Sequence, residues 1–199
     1  MPPPRLILAS RSPRRRELLT EAGYKFEVIV PEEDVECGVC SERGPAGLVT
    51  ELALRKAAAV REMLQRQGDQ AAIIVAADTV AECAGFVLGK PPDEEAARAM
   101  LRQLRGREHR VLTGLCIWPL DKPEPLVQVA VTELRMDDLS DAEIEAYVVS
   151  DHWEGKAGGF GYQYRLGWVH VESGSESNVV GLPMELLAEM LSQVQATNR

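Results

Sequence analysis

The chain has 199 residues, of which 45% are hydrophobic and 5% aromatic, so it is long enough to bury a core made mainly of Leu, Val, Ala and Ile. Its formal net charge of −9 at pH 7 argues against non-specific binding to a nucleic-acid backbone, which requires a basic face. The sequence has no apolar run near the roughly 18 residues of a membrane span, and MPPPRLILAS lacks the features of a signal peptide. We therefore expect a cytoplasmic protein that binds neither nucleic acid nor membranes.

Apolar periodicity and capping residues predict strands and helices that alternate along the chain. In chain order, the predicted elements are strand 6–10, helix 12–23, strand 24–31, helix 46–67, strand 71–77, helix 93–106, strands 108–120 and 125–136, helix 139–150, strand 166–173 and helix 181–194. The apolar run 71–77 is typical of a central strand covered on both faces, and it is predicted to end at Asp78. Ser140 and Glu143 have the spacing of a capping box.

This alternation predicts an α/β fold with a mixed, twisted sheet flanked by helices. We find no internal repeat and no low-complexity linker in the sequence, so residues 1–199 are predicted to form a single domain.

The first polar cluster lies where strand 6–10 runs directly into the next helix. A helix N-terminus offers free N–H groups that suit a phosphate, and Pro13 fits the first helical position. Ser10 adds a hydroxyl donor, while Arg14 and Arg15 add planar cations. The alternative is an ordinary N-cap at Ser12 followed by a solvated basic face.

Asp78 and Thr79 form the second cluster, at the predicted end of the central strand. An ionised carboxylate beside a buried strand needs a partner, and it could hold a divalent metal ion or accept a proton from water. The alternative is a turn or helix cap.

Two further segments carry polar groups suited to a ligand. Lys90, in Gly-Lys-Pro, is a point charge that could reach a phosphate, although no Walker motif surrounds it. The glycine-rich segment 155–163 ends in Gln163, whose amide could read a nucleobase edge; a flexible turn is the alternative.

Cys37 and Cys40 form a C-x-x-C pair, the spacing of many zinc and redox sites. The other cysteines and the histidines are too scattered to complete such a site, so a chance pair in a loop is preferred.

These motifs, taken in order, resemble the Maf family of nucleoside triphosphate pyrophosphatases. LILASRSPRRRELL, AADTV with GFVLGKPPDEEAARAMLRQLRGREHRVLTG, AYVVS with GKAGGFGYQ, and SNVVGLPMELL carry the resemblance, from residue 6 to about residue 190. It implies two lobes with a cleft between them, frequent dimers, and cleavage of a triphosphate to monophosphate and pyrophosphate. It also implies a divalent cation, Mg²⁺ or Mn²⁺, and roles in removing non-standard nucleotides and restraining cell division.

The resemblance assigns roles position by position. It implies that Asp78 is the general base and that Lys56 and Lys90 face phosphate charge. Glu36 and Asp78 are expected to hold the metal ion. The residues expected to bind substrate are Ser10, Arg14, Arg15, Thr79, Lys156 and Gln163.

The branch of the family acting on dTTP and UTP carries Arg, Thr and Gln where this sequence has Arg14, Thr79 and Gln163. The sequence departs from the family at three positions, which bear on the surroundings of Gln163 and thus on base preference: His152, Gly155 and Tyr164. The same chemistry on 7-methyl-GTP, CTP or a modified nucleotide, or a non-catalytic nucleotide-binding regulator, are the alternatives.

Overall fold

A computed structural model of the chain describes residues 4–31, 43–69 and 71–196. Its elements, in chain order, are β1 (Arg5–Leu8), α1 (Pro13–Glu21), β2 (Phe26–Val28), α2 (Gly44–Arg66), β3 (Ala72–Cys83), β4 (Phe86–Leu88), α3 (Glu94–Leu104), β5 (Glu108–Pro119), β6 (Leu126–Met136), α4 (Asp141–Val148), two 3₁₀ turns (Ala157–Gly159 and Tyr162–Tyr164), β7 (Val169–Ser173), α5 (Glu176–Val180) and α6 (Met184–Ala196). None of the helices in these ranges could cross a lipid bilayer, given its length and polarity.

One seven-stranded sheet contains all of these strands, in the order β2-β1-β3-β5-β6-β7, with β4 paired to β3. β1 lies parallel to both neighbours, and its Leu8 stands opposite Val28 of β2 and Val75 of β3. The pairs β3–β4 and β6–β7 are antiparallel. The predicted α/β class with a mixed sheet is therefore confirmed.

The described residues form two compact units. The first comprises those within Met1–Asp78, Thr113–Ala130 and Gly181–Arg199, and the second comprises Thr79–Leu112 and Val131–Val180.

In the first unit, β1 and β3 are buried on both faces. Alternate residues of β1, β3 and β5 pack with Leu19 of α1 and with α6 in one apolar cluster, and the intervening residues pack with the Ala-rich face of α2 in another. This double coverage explains why the sequence of β3 is apolar without alternation.

In the second unit, the core lies around α3 and α4. Leu101 and Leu104 of α3 pack with Ile144 and Val148 of α4 and with Trp153. The predicted capping box of α4 is present, because Ser140 accepts from the Glu143 N–H and the Glu143 carboxylate accepts from the Ser140 N–H.

The structure corrects the extent of two predicted strands and adds a helix. β3 does not end at Asp78 but continues to Cys83, because residues 81–83 pair with β4 in a hairpin. The strand predicted over 24–31 is reduced to Phe26–Val28, the three residues that pair with β1. Helix α5 was not predicted, since five residues are too few to show helical periodicity.

Candidate active site

A buried ion pair in the first unit joins two of the predicted catalytic residues. Lys56 Nζ of α2 lies 2.6 Å from Asp78 Oδ1 of β3. The Lys56 side chain is 8% exposed and that of Asp78 is 14% exposed, so both charges are largely removed from water. Lys56 lies on the helix face that also buries Ala53 and Ala57, which takes its aliphatic stem into the core. Each charge thus has the partner that a buried ion requires.

Gly114 of β5 brings α2 close to the sheet. A Cβ at this position would overlap the Val49 carbonyl group and would lie 2.8 Å from Thr50 N, both in the first turns of α2. Because the missing side chain permits this approach, Gly114 helps to set the position of the helix that carries Lys56. Sequence reasoning did not single out this glycine, since nothing local to LTGL reveals the helix behind it.

Arg15 of α1 is a buried cation with protein acceptors. Its Nε donates to the Gly181 carbonyl at 2.7 Å, and its Nη1 donates to the Ala77 carbonyl at 2.7 Å and to Ser10 Oγ at 3.2 Å. It therefore ties α1 to the residue that precedes Asp78. The predicted contact of Arg15 with substrate stays a prediction, and these bonds give it a positioning role in addition.

Ser10 and Arg14 lie at the same turn between β1 and α1. The buried Ser10 Oγ accepts from the Ser12 N–H at 3.2 Å as well as from Arg15, which leaves its own O–H as the group that can donate. Arg14 is half-buried in the first turn of α1. Ser12 occupies the N-cap position, but its side chain makes no capping bond within the described chain.

The other predicted substrate-binding residues, Thr79, Lys156 and Gln163, belong to the second unit, as does Lys90. A hydrogen bond from Gly158 N to the Gly89 carbonyl, 2.9 Å long, joins the Gly-Lys-Pro segment to the glycine-rich segment.

These four side chains differ in exposure. Lys90 is exposed, while Thr79 and Gln163 are half-buried. Lys156 is buried, and its Nζ donates to the Glu154 carbonyl at 3.0 Å. Gly158 has φ +71°, and a Cβ there would lie 3.0 Å from that of Ala81 in β3, so this turn requires glycine.

An aromatic cluster lies beside Lys156 and had not been predicted as a feature. The rings of His152 and Tyr164 are stacked, with centroids 3.9 Å apart and an interplanar angle of 19°. Lys156 Nζ lies 5.2 Å from the centroid of the Tyr164 ring. The Tyr147 hydroxyl accepts from Gly161 N at 2.8 Å, and burial raises the pKa of this phenol well above its usual range. His152 and Tyr164 are two of the three positions at which the sequence departs from the resembled family.

Glu82 is a second buried acid on β3, and sequence reasoning missed it. Burial by itself would raise its pKa, but hydrogen bonds from Arg110 and from the Gly85 N–H lower it below the usual value. Both oxygens of the Glu82 carboxylate accept hydrogen bonds, Oε1 from the Gly85 N–H in the β3–β4 turn and Oε2 from Arg110 of β5. We therefore assign Glu82 a structural role.

Asp78 is a described residue whose carboxylate could hold a divalent cation. Its Oδ1 is held by Lys56, and Mg²⁺ is commonly bound through one or two carboxylates together with substrate phosphates. Glu36 and the Cys37–Cys40 pair lie outside the described residues. Within the ranges that the structure covers, no three His, Cys, Asp or Glu side chains form a cluster. Burial raises the pKa of the Cys83 thiol and raises that of Cys116 to about 12, so neither thiol offers a ready thiolate.

Comparison with known proteins gives a consistent result. The family described as Maf-like protein matches residues 5–194. A dTTP/UTP pyrophosphatase of Rhodopirellula baltica is 47% identical over 97% of this chain and 83% of its own length. Those of Symbiobacterium thermophilum and Pyrococcus furiosus are 45% and 39% identical, over 94% of this chain and 93% and 94% of their own lengths. Among solved structures, the Staphylococcus aureus Ham1 protein aligns with a TM-score of 0.44 and 18% identity, over 67% of this chain and 72% of its own.

Proposed function

Because this chain belongs to the Maf family, we propose that it is a nucleoside triphosphate pyrophosphatase that hydrolyses dTTP and UTP to the nucleoside monophosphate and pyrophosphate. Several relatives, each matched over more than four-fifths of its own length, carry this activity in their names. Arg14, Thr79 and Gln163, the three residues typical of the dTTP/UTP branch, are all present in the sequence.

The observation that carries the proposal is the placement of Asp78. Its carboxylate stands on a strand whose preceding residues are buried, it is 14% exposed, and it is ion-paired with Lys56. Removing two charges from water costs free energy, so an ion pair is a poor choice where a strand serves only to build the core. A hydrolase, in contrast, needs an oriented carboxylate beside its substrate.

Asp78 is proposed to accept a proton from the attacking water. The water oxygen bonds to the α-phosphorus, the bond from that phosphorus to the bridging oxygen breaks, and pyrophosphate leaves with the electron pair. Lys56 holds Oδ1 of the carboxylate, and the other oxygen, Oδ2, is proposed to accept the proton. Arg14, Lys90 and Lys156 are proposed to stabilise charge on the phosphates, as fixed cations do in phosphoryl transfer. Ser10 is proposed to donate its O–H to a phosphate oxygen.

Asp78 and Glu36 would hold the divalent cation, Mg²⁺ or Mn²⁺. When bound, such an ion neutralises phosphate charge and lowers the barrier to attack by water. Arg15 contributes indirectly, because its bond to the Ala77 carbonyl fixes the backbone next to Asp78.

The test is turnover of dTTP and UTP by the Asp78→Asn variant, measured as pyrophosphate release with Mg²⁺ and with Mn²⁺. We expect a loss of at least about a hundredfold in kcat, the usual scale for a general base. Glu133→Gln, which changes an exposed acid on β6, is the matched control and should retain wild-type turnover. Hydrolysis by Asp78→Asn at the wild-type rate would refute the assignment.

A panel of triphosphates in the same assay distinguishes the alternatives. Faster hydrolysis of CTP, 7-methyl-GTP or a modified nucleotide than of dTTP and UTP would identify that nucleotide as the preferred substrate. Tight binding of dTTP without formation of dTMP would favour a regulator. A single domain, a cytoplasmic location, a homodimer, a link to cell division, and the absence of nucleic-acid and membrane partners all stay predictions.

A further inference from the structure

The stacked pair of His152 and Tyr164 lies beside two residues of the proposed substrate site. Tyr164 directly follows Gln163 in the 3₁₀ turn Tyr162–Tyr164, and its ring faces the Lys156 ammonium group. One aromatic side chain is therefore joined by the backbone to the residue expected to read the base. The same side chain contacts, through space, a lysine expected to face phosphate.

The Lys156 side chain is restrained from two directions. Its Nζ donates to the Glu154 carbonyl, and the ring of Tyr164 covers it at the distance of a cation–π contact. Its stem also lies close to Gly161, where a Cβ would come 3.1 Å from Lys156 Cδ. Because of these contacts, the direction in which the Lys156 ammonium group points depends on the position of the Tyr164 ring.

Two neighbours in turn restrain Tyr164. His152 stacks on its ring, and the ring lies so close to Gly161 that a Cβ there would approach it to 2.6 Å. Gly161 is itself fixed, because its N–H donates to the buried hydroxyl of Tyr147 on α4. The ring thus contacts both the His152 imidazole and a backbone segment that is anchored to a helix.

The Gln163 turn is fixed on its other side as well. Tyr162 packs against the core cluster of the second unit, and Arg165 leaves the turn with a left-handed φ of 49°. Tyr162 and Arg165 also line a cavity of about 150 Å³. Gln163 lies between Tyr162 and Tyr164, and the contacts of both neighbours fix their positions. A shift of Tyr164 would therefore also move Gln163.

We propose that Tyr164, supported by His152, is a positioning and specificity-determining residue of this enzyme, which orients Lys156 and the Gln163 turn together. This inference rests on the proposed function, because it concerns how the same site tells one pyrimidine triphosphate from another. Neither residue needs to touch the reacting atoms, so their loss affects substrate binding and base discrimination before it affects the chemical step.

The experiment compares KM and kcat for UTP, dTTP and CTP in the wild type and in variants at both positions. We expect Tyr164→Ala to raise KM for UTP and dTTP about tenfold and to keep kcat within about threefold of the wild-type value. The ratio of kcat/KM for UTP to that for CTP should also fall. Tyr164→Phe keeps the ring and should behave as the wild type. His152→Ala should shift KM in the same direction by a smaller factor, and His152→Phe should restore it.

Two controls separate positioning from general damage. Phe86→Ala removes an exposed aromatic ring from β4 and should change neither KM nor the base preference. The double variant Tyr164→Ala/His152→Ala should match Tyr164→Ala alone, because His152 is proposed to act only through Tyr164. If Tyr164→Ala does not fold, the His152 pair of variants supplies the same test.

Wild-type KM and wild-type base preference in Tyr164→Ala and His152→Ala would overturn this inference while leaving the proposed function intact. Equal impairment in Tyr164→Phe and Tyr164→Ala would also overturn it, since the ring would then not be the active element. Failure of the wild-type chain to hydrolyse dTTP or UTP would overturn the proposed function, and this inference with it.

Discussion

Replacing Lys56 by methionine should destabilise the protein, because the Asp78 carboxylate then remains charged without the ammonium group that pairs with it. Methionine keeps most of the aliphatic volume of the side chain, so little packing is lost. The Asp78 carboxylate, 14% exposed, loses the ammonium group that lies 2.6 Å away and becomes a nearly buried anion without its partner. The free energy of unfolding should therefore fall by more than it does on a typical substitution at the surface.

The magnitude follows from the distance and the burial. Two unit charges at this separation attract by about 6 kcal/mol at an effective dielectric constant of about 20, and the desolvation of both charges offsets part of that gain. Breaking such a pair from one side typically costs about 3–5 kcal/mol. We expect the lower end for Lys56→Met, because Asp78 is not fully enclosed and water can reach it.

The assay is urea unfolding of Lys56→Met, Asp78→Asn and the double variant. The double variant removes both charges, so its loss should be smaller than the sum of the single losses by about 2 kcal/mol. Arg55→Met is the matched control on the same helix, because its exposed pair with Glu51 should contribute less than about 0.5 kcal/mol. Single losses that add to within about 0.5 kcal/mol would show that the two side chains act independently and that no coupled ion pair stabilises the fold.

Two further predictions concern stability. Gly114→Ala should lower the free energy of unfolding by about 1–3 kcal/mol in the same urea assay, because the new Cβ overlaps the backbone of α2 at Val49 and forces the helix outward. Gly89→Ala, where a Cβ meets open space, should change it far less, and equal effects of the two substitutions would contradict this account. His109 should make stability depend on pH, because burial lowers the pKa of its ring and its Nε2 has no hydrogen-bond partner among the residues that the structure describes. The unfolded chain takes up a proton below pH about 6.5 while the native chain does not, so native stability falls as the pH drops from there toward the lower native pKa, by at most about 1.4 kcal/mol per pH unit. Unfolding at pH 7.5 and 5.5 checks this: the loss should be smaller in His109→Gln, and an identical loss would show that His109 does not carry it.

The order of the longer strands and helices could be read from the sequence, because each of them carries its own local signals, whereas the five-residue helix α5 does not. The capping box at Ser140 and the terminal glycines of α1 and α3 mark helix ends through residues only a few positions apart. The unbroken apolar run before Asp78 identified a central strand, since only a strand covered on both faces can be apolar throughout. The family could also be identified in this way, because its motifs keep their order along the chain.

The partners of the polar residues depended on the tertiary structure. Lys56 and Asp78 are 22 positions apart, and Arg15 is 166 positions from Gly181, so no local pattern indicated that either pair would meet. The stacking of His152 on Tyr164 likewise required the chain to return to the turn that follows α4, and in the sequence the two residues were no more than separate departures from a family pattern. Composition and periodicity determine which elements form, because these act over a few residues. Which charges pair, and which carboxylate is withdrawn from water, is decided only when distant segments pack together.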